Sequence, residues 1–439
     1  MTNSTIESAI HWLTTQTNSN PSPDLSRLNH ALSYLGNPHH DLPVIHITGT
    51  NGKGSTTAFL SDLLMSQGFR VATFTSPHIM AFNERIAINN IPISDEELIA
   101  LTNEMQSLNE YMQTTEFGSV MAFELYTLMA IVHFSRKKCD VCLFEVGIGG
   151  LLDSTNVLNG QIAVITTIGL DHAEKLGNTL ESVAEQKSGI IKPNETLITG
   201  KIDASPLAII QQTAQNQQAT HYHYERDFAI RKVHEASLNG TTFDYQSQNG
   251  TRELLSIQML GGHQLDNVAV ALKTFESWCE KSNHQIDWQK AAESLKKTTW
   301  LARLECINEQ PLIYIDGAHN HAGLMALKQS VESLFDGYDL TILYSGLSTK
   351  DQSTQLHDLD NFNAKKIVLT EFDHRYSMRL DNFKRVVSNT SQLSTLIEFV
   401  SDWKTFIQNY QQTYAAHPKS VLLVTGSLYF VSDVRQLFY

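Results

Sequence analysis

The sequence predicts a chain of two α/β units, each built on a parallel sheet wound with helices. Three observations lead there. Short apolar, β-branched runs such as VIHIT, CDVCLFEV and IAVITTIG alternate with segments of helical spacing. At 439 residues the chain is too long for one ordinary core. Polar and charged residues recur where the apolar runs end, which is where parallel α/β sheets gather their ligands.

Bulk properties narrow the class. A chain that is 41% hydrophobic and 18% charged has an ordinary soluble composition. Its formal charge of -14 argues against a broad nucleic-acid surface, which needs clustered Lys and Arg. The start, MTNSTIESAIHWLTT, lacks a basic lead and a continuous apolar core, and no run approaches the roughly eighteen apolar residues of a membrane span. The expectation is a cytoplasmic monomer without nucleic-acid or membrane partners. Cys139 and Cys142 form a C-x-x-C, but within a strand, where residues three apart face opposite ways, so reduced core thiols are expected.

Taken in order, helical spacing covers 6–15 and 25–35, joined by a polar segment with two prolines at 18–23 that is either a connector or a flap. VIHIT at 44–48 reads as a buried strand, and GTNGKGS follows. A helix over 55–67 should lay Phe59, Leu60, Leu63 and Leu64 on the sheet as one stripe and stop at Gly68. Strand, glycine loop and helix N-terminus together aim backbone N–H groups at one spot, and Lys53 adds a full charge. Gly49, Thr50, Asn51, Gly52, Lys53, Gly54, Ser55 and Thr56 thus form a candidate phosphate cradle. The common P-loop pattern is not met: Ile47 replaces its first Gly, and Gly54 replaces the hydroxyl residue after the Lys. On these residues alone, a glycine turn that merely links strand to helix stays open.

The next strand, RVATF, leads to Ser76, which sits where such sheets place ligands but is also an ordinary turn residue. Helices are expected over 95–110 and 119–134. CDVCLFEV then ends in Glu145, either a metal-reaching carboxylate of Walker B type or a turn cap. IAVITTIG runs into Asp171 and His172; an isolated His is usually structural, but imidazole at a strand end can also hold a divalent ion. Lys187 in EQKSGIIKP reads on its own as a solvated charge. Short strands and a helix alternate over 197–260, with QQTAQNQQ and YQSQNGTRE expected at the surface. LGGHQLDNVAVAL opens a helix that carries Asn267. The second unit starts with PLIYIDGAHN, a strand ending in Asp316 and His319, and a helix over 322–334. Strands at 340–344, 366–370 and 421–425 follow, and HRYSMR contributes Arg375 and Arg379. The chain has no G-x-S-x-G, H-E-x-x-H or G-x-G-x-x-G, which weighs against hydrolase, zinc protease and dinucleotide oxidoreductase.

GTNGKGS, SPHIMAFNERI, GLDH, TTWLARLE, DGAHN and TGSLYFVSDVR, in this order from the phosphate loop to Val434, resemble the motifs of folylpolyglutamate and dihydrofolate synthases, relatives of the Mur ligases. The resemblance implies a P-loop-type parallel-sheet ATPase domain over 1–297 and a smaller Rossmann-like α/β domain over 298–439 that binds glutamate. It implies ATP and two magnesium ions, admits a potassium ion, and names Ser76, Glu145, His172 and a carbamylated Lys187 as metal ligands. Asn267 would meet adenine, and Arg303, in a linker where Leu301 and Ala302 replace Pro and Gly, would clamp phosphates. Asp316 would serve ATP, with His319 and Ser427 near glutamate. The 18–23 segment corresponds to a loop near the pteridine pocket, and Asp153 and Asn156 match the substrate-side motif, but Leu151 stands where an Arg is usual. The implied reaction is ATP-dependent addition of L-glutamate to the γ-carboxyl of a reduced folate through an acyl phosphate. Its catalytic set is Lys53, Glu145, His172, Lys187, Asp316 and His319, and dihydropteroate is left open as a second acceptor. Two rivals share the ATP site: a ligase for cell-wall precursors, against which FNERI and TGSLY argue, and a regulator without catalysis, against which Glu145, His172 and Lys187 argue.

Overall fold

The computed structural model describes residues 3–17, 24–390 and 393–439, so the 18–23 segment lies outside the described residues. The chain divides into two compact units. The first comprises Met1–Arg231, Asp244–Leu255 and Asp266–Lys296; the second comprises Lys232–Phe243, Ser256–Leu265 and Lys297–Tyr439. Among the described residues no helix is long and apolar enough to cross a membrane.

The first unit is built on an eight-stranded sheet. Its strands are β1 (Val44–Thr48), β2 (Val71–Phe74), β3 (Ile86–Ile88), β4 (Ile91–Pro92), β5 (Val141–Glu145), β6 (Ile162–Ile165), β7 (Thr196–Thr199) and β8 (Thr220–His223), in the order β4-β3-β2-β5-β1-β6-β7-β8. All neighbours run parallel except β3 and β4, which return antiparallel at one edge, where the proline of β4 is tolerated. β1 sits between β5 and β6, with Ile47 opposite Glu145 and Thr48 opposite Ile165. All five of its residues are buried, as a parallel strand covered on both faces requires.

The helix Lys53–Ser66 begins two residues before its expected start, directly at the glycine loop, and the chain turns at Gly68 with φ of +91°. It is not amphipathic in the expected way. Residues 54–61, 63 and 64 are all buried, because sheet strands cover one side and the helix Trp288–Leu295 covers another. Gln67 binds the Asp287 backbone at both ends of its amide, at 2.7 and 3.2 Å. The helix Ile6–Thr15 has its expected bounds.

The stretch YQSQNGTRE, expected at the surface, is exposed at Gln246, at Gln248 through Thr251 and at Glu253, and it spans β10 (Gly240–Ser247) and β11 (Gly250–Ile257), which with β9 (Phe228–Ser237) form a three-stranded sheet in the order β11-β10-β9. Tyr245 and Ser247 are buried there, donating to the Glu276 carboxylate at 3.1 and 3.0 Å. Alternation hid this: Tyr245 and Ser247, two residues apart, face inward, and their hydroxyls share one carboxylate.

The second unit holds a six-stranded sheet of β12 (Glu305–Glu309), β13 (Leu312–Ile315), β14 (Asp339–Tyr344), β15 (Lys366–Thr370), β16 (Leu396–Val400) and β17 (Ser420–Thr425), ordered β12-β13-β17-β14-β15-β16. Only β12 is antiparallel to its neighbour. Before β12, Ala302 and Leu304 adopt left-handed φ of 56° and 43°. Ala302 occupies the Gly position of the resembled linker, and an L-residue in that region costs about 1–2 kcal/mol. Its N–H donates to Glu305, whose other oxygen accepts from Arg435 at 2.9 Å.

In the first unit, Arg27 and Glu124 make a forked ion pair, with Nε–Oε2 at 3.0 Å and Nη2–Oε1 at 3.1 Å, and the Arg27 side chain only 1% exposed. Glu124→Ala leaves a buried guanidinium without its counter-charge, so a loss of about 3–5 kcal/mol is expected. Chemical denaturation checks this: a midpoint equal to wild type would show the pair to be dispensable.

Candidate functional site

The expected phosphate loop leaves β1 between the carboxyl ends of β5 and β6. Gly52 caps the following helix with φ of +87°, and a Cβ there would come within 2.3 Å of Asn267 Oδ1. Loop and helix Gly262–Lys281 therefore touch at this point, which brings Asn267 to the loop. Lys53 Nζ folds back onto the Gly49 carbonyl at 2.9 Å. The N–H groups of Thr50 and Asn51 are spent within the fold, on the carbonyl and hydroxyl of Thr167 at 3.0 and 2.9 Å. An anion is left with the first-turn amides from Gly52 to Ser55, which helix geometry leaves without intrahelical partners. Ser55 and Thr56 are buried, and among the described residues Thr56 Oγ1 has no hydrogen-bond partner.

Beside the loop, Glu145 ends β5, almost fully buried, and its Oε2 accepts from the Ser76 N–H at 3.1 Å. These two expected metal ligands are neighbours. His172 lies seven residues beyond the end of β6, at the start of a short helix, with its side chain 37% exposed and a left-handed φ of 52°. Its imidazole faces Asp171 at 4.0 Å and Glu174 at 3.7 Å. Among the described residues no group of three or more His, Cys, Asp or Glu is gathered as a metal site. The oxygen donors of Ser76 and Glu145 nevertheless suit magnesium, which keeps several waters and takes phosphate oxygens as ligands, whereas the His172 imidazole is the softer donor of the expected set.

Lys187, on the helix Leu180–Ser188, is only 4% exposed. Burial pushes its amine down to about 7; the Lys53 charge pushes the same way, against Asp171 and Asp153. A lysine held near neutrality at physiological pH is a nucleophilic amine, the form that can react with carbon dioxide.

Asp153, expected on the substrate side, is occupied locally. It caps a short 3₁₀ turn, accepting from Ile148 N–H and Thr155 N–H at 3.0 Å and from Thr155 Oγ1 at 2.6 Å, and burial raises its carboxyl. Because Thr155 donates to Asp153, it accepts from His46 Nε2 at 2.7 Å, which fixes that tautomer. Burial lowers His46 to about 3, so it stays neutral. Asn156 braces the loop, donating to the carbonyls of Leu151 and Gly189 at 3.0 and 3.1 Å. Leu151, where an Arg was expected by resemblance, is 45% exposed.

In the second unit, Asp316 follows β13 and is buried, accepting from Leu304 N–H and Ala318 N–H at 2.8 Å. Arg303 Nη1 donates to the Ala302 carbonyl at 3.0 Å. His263 lies in the field of both: burial lowers it, Asp316 raises it and Arg303 lowers it. His319 Nδ1 contacts the Gly317 carbonyl at 2.8 Å. Ser427 occupies the N-cap position of the helix Leu428–Gln436, is 2% exposed, and among the described residues its hydroxyl has no hydrogen-bond partner. Arg375 lies over the Tyr376 ring at 4.4 Å and is exposed, as is Arg379. His46, Thr166, Thr167 and His263 were not singled out in the sequence. Two successive threonines at a strand end read as more strand, and only the fold reveals where their hydroxyls point.

Residues 47–275 match the Mur ligase middle domain. The chain is 34% identical over 433 residues to a dihydrofolate synthase/folylpolyglutamate synthase of Bacillus subtilis, covering 98% of each. It is 32% identical over 420 residues to a folylpolyglutamate synthase of Lacticaseibacillus casei, covering 94% of each. Among solved structures it superposes on Mycobacterium tuberculosis folylpolyglutamate synthase complexed with ADP with a TM-score of 0.90 at 27% identity, over 99% of this chain and 98% of that one. An FPGS-AMPPCP-folate complex gives 0.84 at 29% identity, over 99% of both chains.

Gly52→Ala must place a side chain against Asn267 in a left-handed backbone, so the variant should lose about 1–2 kcal/mol of stability and bind ADP more weakly. Thermal unfolding with ADP titration checks this, and unchanged values for both would refute the close approach. Lys187 also sets a pH dependence. The folded state sheds its proton near 7, whereas the unfolded chain keeps it up to about 10.5, so stability of the metal-free, carbon-dioxide-free protein should rise with pH across that window. Lys187→Met should flatten the rise, measured as denaturation midpoints from pH 7 to 10.

Proposed function

The chain belongs to the folylpolyglutamate synthase and dihydrofolate synthase family of Mur-type ligases, and from that premise we propose that it adds L-glutamate to the γ-carboxyl of a reduced folate, driven by ATP. The observation that carries the mechanism is the buried Lys187, held near neutrality beside the Lys53 charge at the end of a phosphate-binding loop.

Lys53 and the first-turn amides would hold the β- and γ-phosphates, with Asn267 toward the adenine. Magnesium, when bound, supplies neutralisation of the triphosphate charge. Ser76, Glu145 and His172 would hold it, together with the carbamate that Lys187 forms with carbon dioxide. We assign no residue to a potassium ion. The folate γ-carboxylate attacks the γ-phosphorus, ADP leaves, and an acyl phosphate results. The glutamate amine then adds to its carbonyl, and the tetrahedral intermediate expels phosphate. Positioning and charge neutralisation supply most of the rate.

Residues 1–297 would then act as the ATP-binding domain and 298–439 as the glutamate-binding domain. Arg303 and Asp316 serve the nucleotide in this reading, and His319 and Ser427 serve the amino acid. The support for Ser427 is its buried, unpartnered hydroxyl at a helix N-terminus, a setting made for a carboxylate. Asp153 would act on the substrate side by ordering its loop. The cysteines described are all free, in keeping with a reducing cytoplasm, and one chain carrying both units suits a monomer. Leu151 removes an anion donor from the pterin side, which tetrahydrofolate and dihydropteroate share, so the two acceptors are compared directly.

Phosphate release measured with glutamate plus either acceptor tests the reading. Wild type should turn over with tetrahydrofolate, and silence with both acceptors would sink the proposal. Lys187→Ala should lose ligation by at least about a thousandfold while keeping its circular dichroism spectrum; wild-type activity in that variant would remove Lys187 from the mechanism.

A further inference from the structure

We propose that Thr167, with Thr166 beside it, is a positioning residue that locks the phosphate loop to the segment leading to His172. The inference deepens the nucleotide reading above and rests on it.

β6 lies next to β1, and Thr48 pairs with Ile165, so the residues just beyond both strands run side by side. There the threonines stitch the two loops together. Thr167 Oγ1 accepts the Asn51 N–H at 2.9 Å and donates to the Asn51 carbonyl at 3.0 Å. Thr166 Oγ1 donates to the same carbonyl at 2.6 Å. One residue earlier, the Thr50 N–H reaches the Thr167 carbonyl at 3.0 Å. Thr50 Oγ1 accepts from the Gly169 N–H and donates to the Gly169 carbonyl, both at 2.9 Å. Gly169 is three residues before His172, whose own N–H is tied to Asp171 Oδ1 at 2.8 Å.

This pattern does two things at once. It consumes the N–H groups of Thr50 and Asn51 and the Asn51 carbonyl, so the loop presents its later amides to an anion. It also fixes that loop to the backbone carrying an expected metal ligand, so a shift on one side moves the other. A hydroxyl is needed because it must donate and accept in the same place. Valine has the same shape and can do neither, whereas serine can do both.

The test compares Thr167→Val with Thr167→Ser in the full-length chain, by calorimetric titration with ADP and by ligation kinetics at varied ATP. The valine variant should bind ADP about tenfold more weakly, with a raised KM for ATP and a lowered kcat, while the serine variant returns both toward wild type. A merely structural role would lower the melting temperature of the valine variant but leave ADP affinity per folded molecule and KM unchanged, and that result overturns the inference. Should Thr167→Val fail to fold, Thr50→Val removes the Gly169 bonds instead and is read by the same criteria. Failure of the unsubstituted protein to bind ADP would overturn the nucleotide reading itself, independently of Thr167.

Discussion

The enclosure of β1 is the constraint from which the first unit follows. A strand buried on both faces between two parallel neighbours must release its chain at the carboxyl edge, and the space there is bounded by whatever follows β5 and β6. That is why the turn needs a left-handed Gly52, why the following helix is covered on more than one side, and why polar residues from three strands meet there. A loop this crowded cannot leave its own backbone groups unsatisfied. The fold answers with threonine hydroxyls on one side and leaves the helix end open on the other.

Charge is arranged with equal economy. Burial does most to lower the Lys187 amine, to about 7, and the nearby charge of Lys53 pushes the same way. Asp153 and Asp171 pull in the opposite direction without prevailing. Asp153 is itself buried and pinned through Thr155 to a neutral His46, so its position is set by β1 as well. The electrostatics of the candidate site are thus inherited from the same central strand that positions its backbone.

How much of this was legible in the sequence depended on which physical signal a residue carries. β1, β5 and β6 declare themselves as unbroken apolar runs, and glycines in GTNGKGS declare a tight turn. Ser76 and Glu145 could be placed near one another because both end strands of one sheet, and the structure joins them by a hydrogen bond. β16 was missed because an edge strand with half-exposed residues lacks the apolar signal of its neighbours. Tyr245 and Ser247 were misjudged because a polar residue that finds a buried partner is written with the same letter as one that faces water. Thr50 and Asn51 read as phosphate donors, yet their amides were claimed by residues more than a hundred positions away. No local pattern encodes that distance.

The contact between Gly49 and Thr166 has an evolutionary corollary. A methyl group at position 49 would fall 1.9 Å from the Thr166 hydroxyl oxygen, well inside any non-bonded contact distance. Position 49 therefore cannot gain a side chain while Thr166 keeps its hydroxyl there, and that hydroxyl is already spoken for by Asn51. Epistasis of this kind runs one way: a side chain at 49 calls for a prior change at 166, whereas Thr166 meets no such bar from Gly49.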